Sequence, residues 1–109
     1  LESDAALAAA ARTALGDEGV TVTTGPLADG VPGDAPFDRI VLDGAIEQLP
    51  DALAAQLAEG GVLVCALREG AVTRLARGVK VAGTLTLRPF ADMDAATLPG
   101  FLREKGFTF

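Results

Sequence analysis

The sequence predicts a single α/β domain built on a sheet that is mostly parallel, with an antiparallel C-terminal part. The chain has 109 residues, a length that suits one hydrophobic core. Strand-like and helix-like segments alternate over its first two thirds, which is the order that a parallel sheet requires. Two strand-like runs, 40–42 and 62–67, are apolar without interruption, which is typical of parallel strands covered on both faces.

The first helix is predicted over residues 5–15, which are almost pure alanine, the strongest helix former. Ser3 or Asp4 can cap its N-terminus, because each offers a side-chain oxygen to the free amides of the first turn. Gly16 is a suitable end for this helix.

A strand is predicted over residues 20–24, because all five are β-branched and glycines lie on both sides. Residues 25–36 are rich in Gly, Pro and Asp, so we expect a loop with at most one short helical turn. The next strand is predicted over residues 37–42.

A second helix is predicted from Pro50 through Leu57, because proline suits the first turn of a helix, and Gly60 with Gly61 is expected to end it. A third strand follows at 62–67. Beyond Arg68 the sequence predicts short strands at 72–75, 79–81 and 84–87, and then a helix over 94–101.

Composition excludes several classes of function. Fifteen acidic against nine basic residues give a net charge of −6, which disfavours nucleic-acid binding. No apolar run reaches the roughly 20 residues of a membrane-spanning helix. With no histidine and one cysteine, Cys65, the chain offers no disulfide framework, no metal site and no Ser-His or Cys-His nucleophile. We expect a cytoplasmic domain, with Cys65 as a small buried hydrophobe.

Glu2 is the first candidate binding residue. Leu1 and Glu2 resemble the end of a strand, and doubly wound folds hold ribose hydroxyls with an acid at this place, just before a helix. A carboxylate accepts both hydroxyl donors of a diol. The alternative is a solvated acid that the dipole of the following helix stabilises.

Asp43, Gly44 and Ala45 follow the strand at 37–42 and form the second candidate group. Ligands of open parallel sheets bind beyond the carboxyl ends of the strands, and small residues there let a ligand approach the backbone. The alternative is a strand-to-helix turn in which Asp43 caps the next helix.

A set of motifs resembles class I S-adenosylmethionine methyltransferases. The set comprises the acid at Glu2, Gly25, Phe37-Asp38-x-Ile40-Val41, Ala45, Pro50 and Leu57-x-x-Gly60-Gly61-x-Leu63-Val64. Within that class the chain is most similar to protein-L-isoaspartate O-methyltransferases. That closer similarity lies in Ala35-Pro36-Phe37-Asp38, Pro50-Asp51-Ala52-Leu53, Gln56-Leu57, Pro99-Gly100-Phe101 and Phe107-Thr108-Phe109.

The resemblance implies a partial Rossmann-like sheet and a defined reaction. The family uses S-adenosyl-L-methionine to methylate the free carboxylate of L-isoaspartyl residues in damaged proteins, so the expected partner is such a protein or peptide. By the same resemblance Glu2 binds the cofactor ribose, and residues just after Gly25 lie beside the adenine. The implied cofactor-binding set is Glu2, Ser3, Pro26, Leu27, Asp43, Gly44 and Ala45, with no catalytic side chain of its own.

Two departures from the family pattern favour an alternative function. The family usually has Gly-Asp-Gly, with the Asp reaching adenine, where this chain has Gly25-Pro26-Leu27. Asp43 stands where a small or neutral residue is commoner. The alternative is a non-catalytic relative that acts as a cofactor-binding or protein-interaction module; a class I methyltransferase with a small-molecule acceptor is a third possibility.

The chain is expected to be the C-terminal portion of a longer methyltransferase and inactive alone. It begins with Leu1, and the family's glycine-rich cofactor loop and substrate-side serine motif would both precede it. The family strand order, 3-2-1-4-5-7-6, would leave the edge of the strand at 37–42 without a neighbour. Bare strand edges invite pairing, so we expect docking with the missing N-terminal part, self-association, or a new pairing of the strand at 20–24.

Overall fold

The computed structural model describes residues 1–92 and 98–101. It contains α1 (Ala5–Leu15), two 3₁₀ turns (Leu27–Asp29 and Pro32–Asp34), β1 (Phe37–Ile46), α2 (Asp51–Gln56), β2 (Leu57–Glu69), β3 (Val72–Val81), β4 (Thr84–Leu85) and β5 (Arg88–Asp92). Within those ranges, neither helix is long and apolar enough to cross a membrane.

The sheet is mixed, and the predicted α/β architecture with an antiparallel C-terminal part is confirmed. β1 pairs with β2 in parallel, joined by α2 as the crossover. β2 pairs antiparallel with β3, and β4 and β5 share the other side of β3, also antiparallel. In the described part of the chain β1 is therefore an edge strand.

The junction between α2 and β2 corrects the predicted end of the second helix. The helix was expected to include Leu57, but it ends at Gln56, and Leu57 already pairs with Phe37 of β1. The next pair joins Val62 to Arg39, so residues 58–61 bulge out of the ladder, with Gly60 at a φ of +76°. The glycine pair thus forms a bulge rather than a helix stop, and regular pairing resumes at Val62, as predicted.

Lys80 closes the last turn of α2. Its ammonium nitrogen donates to the carbonyl oxygens of Ala54 at 3.0 Å and Leu57 at 2.9 Å. The Ala54 carbonyl also accepts from the Leu57 amide at the end of the helix, and Leu57 is the first residue of β2. The hairpin of β3 and β4 is therefore tied to the helix that precedes β2.

The predicted strand at 20–24 is wrong: this segment has only one isolated parallel bridge, from Thr24 to Glu2. Residues with high strand propensity form a strand only where a neighbouring strand can pair with them. Among the described residues this segment has no strand partner beyond that bridge. Arg12 of α1 holds it instead, donating to the carbonyl oxygen of Val22 and the hydroxyl of Thr24, both at 3.1 Å.

Of the other predicted element boundaries, some are confirmed and some are wrong. Asp4 is the N-cap of α1, accepting from the Leu7 amide at 2.9 Å, and Gly16 ends the helix. The loop at 25–36 contains two 3₁₀ turns rather than one. The strands predicted at 72–75 and 79–81 are one strand, the strand at 84–87 stops at Leu85, and β5 was not predicted.

The end of the described chain completes the core. Part of the helix predicted at 94–101 lies outside the described residues, and residues 98–101 form a turn. The Leu98 amide donates to the Ala45 carbonyl at 2.8 Å, and the Phe101 carbonyl accepts from the amides of Glu47 and Gln48. The core cluster on this face of the sheet is Ile46, Leu53, Leu57, Leu63, Cys65, Ala76 and Phe101.

The expectation that β1 is covered on both faces is wrong for the face of the sheet opposite this core. Val41 is 71% exposed, and its partner Val64 alternates with the buried residues Leu63 and Cys65. In the described part of the chain α2 and Phe101 pack on the other face, and within α1 only Ala8 is buried.

Candidate functional site

A groove of about 480 Å³ lies along the free edge of β1. One end is formed by Leu1 and Glu2, and one side by the loop that contains Leu27 and Gly30. Residues 39–43 of β1 form the long wall, and Phe101 closes the far side. The volume is in the range of small-molecule sites, which is roughly 300–1,000 Å³.

Glu2 lines this groove and is held in place by backbone hydrogen bonds. Its amide donates to the Thr23 carbonyl at 2.9 Å, and its carbonyl accepts from the Gly25 amide at 3.0 Å. One carboxylate oxygen accepts from the Asp4 amide at 3.0 Å. A carboxylate has about four acceptor positions, so this single bond orients the group and leaves capacity for the two hydroxyls of a diol.

Leu27 and Pro26 follow the Glu2–Thr24 bridge directly. Pro26 precedes the first 3₁₀ turn, in which its carbonyl accepts from the Asp29 amide at 3.2 Å. Leu27 lines the groove, whereas Pro26 does not. Leu27 and Val31 therefore make the loop side of the groove largely apolar.

Asp43, Gly44 and Ala45 lie within β1 and not beyond its end, because the strand continues to Ile46. Val41 pairs with Val64 and Ala45 with Ala66, so three residues of β1 stand opposite one residue of β2 and the strand bulges there. Asp43 lines the groove, and the Ala45 side chain is fully buried.

The structure brings together three of the seven predicted cofactor residues around one groove: Glu2, Leu27 and Asp43. Ser3 is exposed beside it, and Pro26, Gly44 and Ala45 do not line it. Their roles toward a cofactor remain predictions.

Several groove residues were not predicted. Arg39 adds a positive charge to the lining of the groove, which also includes Gly30 and Gln56. Gln56 belongs to the Gln56-Leu57 family motif, which is the sequence signal for it. The contact between Gly30 and Gln56 joins residues far apart in sequence and has no local pattern.

Cys65 lies outside the groove, in the core. It is 1% exposed, and burial raises the pKa of its thiol to about 11. An un-ionised thiol is a weak nucleophile, so the buried hydrophobic role predicted for Cys65 is confirmed.

Comparison with known proteins decides the family. The model of the family described as protein-L-isoaspartate(D-aspartate) O-methyltransferase matches residues 2–93. The chain belongs to this family. The match includes both Glu2 and the whole of β1, so it covers most of the groove described above.

Curated protein-L-isoaspartate O-methyltransferases are similar to the chain over partial lengths. The Roseiflexus castenholzii protein is 35% identical over 99 residues, covering 91% of this chain and 45% of the relative. The Azorhizobium caulinodans protein is 38% identical over 82 residues, covering 72% of this chain and 37% of the relative. The chain thus spans less than half the length of these relatives.

Solved structures agree on the fold. A protein-L-isoaspartate O-methyltransferase superimposes with a TM-score of 0.81 at 20% identity, covering 93% of this chain and 33% of that one. A Plasmodium falciparum protein-L-isoaspartate O-methyltransferase, solved in complex with S-adenosyl-L-homocysteine, has a TM-score of 0.54 at 26% identity, covering 59% of this chain and 29% of that one.

Proposed function

We propose that this chain forms one side of the cofactor site of an S-adenosyl-L-methionine-dependent protein-L-isoaspartate O-methyltransferase. The observation that carries the proposal is that Glu2, Leu27 and Asp43 line the same groove. An acid that accepts from a ribose diol beside an apolar wall suits a nucleoside. The acceptor would be an L-isoaspartyl residue of a protein or peptide, and the setting the cytoplasm.

In this function the residues of the chain bind the cofactor and orient it toward the acceptor carboxylate. When bound, S-adenosyl-L-methionine supplies a methyl group on a positively charged sulfur, which an already ionised carboxylate takes without a general base. Glu2 would accept from the ribose hydroxyls, and Leu27 would pack against the adenine. Arg39, which also lines the groove, would offset the negative charge of Asp43 near the incoming carboxylate.

We propose further that the chain is inactive alone. Rate in such a transfer comes from holding donor and acceptor in line, and the long wall of the groove is the bare edge of β1 in the described residues. In the family strand order a further strand would lie against this edge. The partner would be the remaining part of the methyltransferase or, in its absence, a second copy.

Calorimetric titration with S-adenosyl-L-homocysteine tests the cofactor role of Glu2 in the whole protein that carries this chain. Glu2→Gln keeps the shape and removes the charge, and hydrogen bonds to charged groups contribute roughly 1.5–3 kcal/mol. We expect the dissociation constant to rise about tenfold or more. Glu18→Gln, an exposed acid just after α1, is the control and should leave it unchanged. No binding by the unsubstituted protein at millimolar ligand contradicts the proposal.

The alternative, a non-catalytic relative, is favoured by Pro26 and Leu27, which offer the adenine no side-chain acceptor. A radiolabelled methyl-transfer assay on an isoaspartyl peptide distinguishes the two functions. Transfer by the whole protein supports the enzyme, whereas cofactor binding without transfer supports the binding module.

A further inference from the structure

The side chain of Gln56 joins α2 to the loop on the side of the groove. Its oxygen accepts from the Val31 amide at 2.9 Å, and its amide nitrogen donates to the Asp29 carbonyl at 2.8 Å. Gln56 is the last residue of α2 and is only 7% exposed. Both the oxygen and the nitrogen of this buried side-chain amide therefore hydrogen-bond to backbone atoms of the same loop.

Gly30 lies between the two backbone partners and makes this contact possible. Its φ is +62°, and a Cβ at this position would lie 2.8 Å from both the Gln56 amide nitrogen and Leu53 Cδ2. Only glycine permits both this backbone conformation and this approach. The loop backbone thus rests directly on the Gln56 amide.

The same loop carries the apolar wall of the groove. Leu27, Gly30 and Val31 all line the groove, and the two Gln56 hydrogen bonds bracket Gly30. Apart from the turn bonds inside the loop, these two hydrogen bonds tie residues 27–31 to the rest of the described chain. Buried backbone groups that lose such partners favour a rearranged loop.

We infer that Gln56 is a positioning residue that holds residues 27–31 as one wall of the groove. It acts through the loop and not on the reacting atoms. The link from this wall to cofactor affinity rests on the proposed function; the link from Gln56 to the loop does not.

The test compares Gln56→Met with Lys80→Met in the whole protein that carries this chain. Both substitutions remove two side-chain bonds to backbone atoms near α2, but only Gln56 contacts the loop. Amide hydrogen exchange of Val31 is measured relative to Leu63 in the sheet, which corrects for changes in global stability. We expect Val31 exchange to accelerate at least tenfold in Gln56→Met and not in Lys80→Met.

Affinity for S-adenosyl-L-homocysteine is the second readout, expected to weaken at least tenfold in Gln56→Met and by less than threefold in Lys80→Met. Gly30→Ala displaces the loop from the other side and should reproduce both effects if Gln56→Met does not fold. Equal Val31 exchange in the two methionine variants overturns the inference, and selective exchange with unchanged affinity overturns the link from this wall to cofactor binding. If the unsubstituted protein does not bind the ligand, the cofactor proposal fails, while selective Val31 exchange still supports the positioning role.

Discussion

At the scale of single residues, the burial of Cys65 makes the stability of the fold depend on pH. Its thiol lies in the core at 1% exposure, and burial raises its pKa from 9.0 to about 11. The unfolded chain therefore loses this proton at lower pH than the folded one. The free energy of unfolding keeps its full value below pH 9 and falls between pH 9 and 11. This thiol contributes a slope of at most about 1.4 kcal/mol per pH unit.

Urea unfolding at pH 8 and pH 10.5 measures this slope, and Cys65→Ala isolates it. Alanine does not ionise, so we expect the stability of the variant to fall less over this interval, although it starts lower because of the smaller side chain. Parallel losses in both proteins would show that Cys65 does not contribute to the alkaline decline.

Single residues are best predicted from the sequence where the physics is local. Asp4 caps the helix immediately after it, and Gly16 ends that helix. The prediction for Glu2 required only a strand end and a following helix. Its backbone does pair, although only in a single bridge with Thr24. The Gln56 contacts could not be predicted, because they join residues 25 and 27 positions apart.

At the scale of elements, the two hairpin turns of β3 provide a matched pair. β2 and β3 are joined by Gly70-Ala71, with Gly70 at a φ of +61°. β3 and β4 are joined by Ala82-Gly83, where Ala82 has a φ of +50° and is the one non-glycine residue with positive φ among those described. The left-handed region costs an L-residue roughly 1–2 kcal/mol.

We therefore expect Ala82→Gly to stabilise the protein by about 0.5–1 kcal/mol, because relief of this strain exceeds the added entropy of the unfolded glycine. Ala71→Gly, in the turn without such strain, should destabilise it. Thermal or urea unfolding measures both. Stabilisation by both substitutions, or by neither, would contradict this account of the Ala82 turn, whose amides at 82 and 83 are also held by the Glu59 carboxylate.

Elements were mispredicted where a partner, rather than composition, decides the structure. The β-branched residues 20–24 form a single bridge, since no strand of the described chain lies along them. Gly78 interrupts the apolar pattern of β3 but pairs with Leu63 without a break, and a Cβ there would lie 2.7 Å from Leu85 Cδ1. The sequence predicted two strands with residues 76–78 between them, whereas Gly78 lies within β3 and marks its close approach to Leu85 of β4.

At the scale of the whole molecule, the sheet has a free edge at β1 among the described residues. The sequence predicted this edge through the family strand order and did not predict that Val41 would be 71% exposed. The burial of β1 depends on groups that pack against both its faces, and no local pattern in an apolar run reveals whether they are present. A free apolar edge is a template for pairing with another strand.

The charges of β1 make a second copy a complementary partner for this edge when the chain is alone. An antiparallel pairing centred on Val41, with the bulge at residues 42–44 straightened, places Arg39 of each copy opposite Asp43 of the other, twice by symmetry. Each opposite-charge cross-strand pair contributes roughly 0.2–1 kcal/mol, and like charges in the same place oppose pairing. We expect the 11.0 kDa chain to dimerise with rising concentration in size-exclusion chromatography with light scattering.

Charge reversal tests this pairing. Asp43→Arg brings two like-charged pairs together, so we expect the dissociation constant of the dimer to rise about tenfold or more. The double variant Arg39→Asp with Asp43→Arg restores opposite charges and should restore the dimer, whereas Asp38→Arg, which faces Gly44 in this register, should have a smaller effect. A double variant no better than Asp43→Arg would exclude this register, and a monomer at every concentration would exclude pairing through β1.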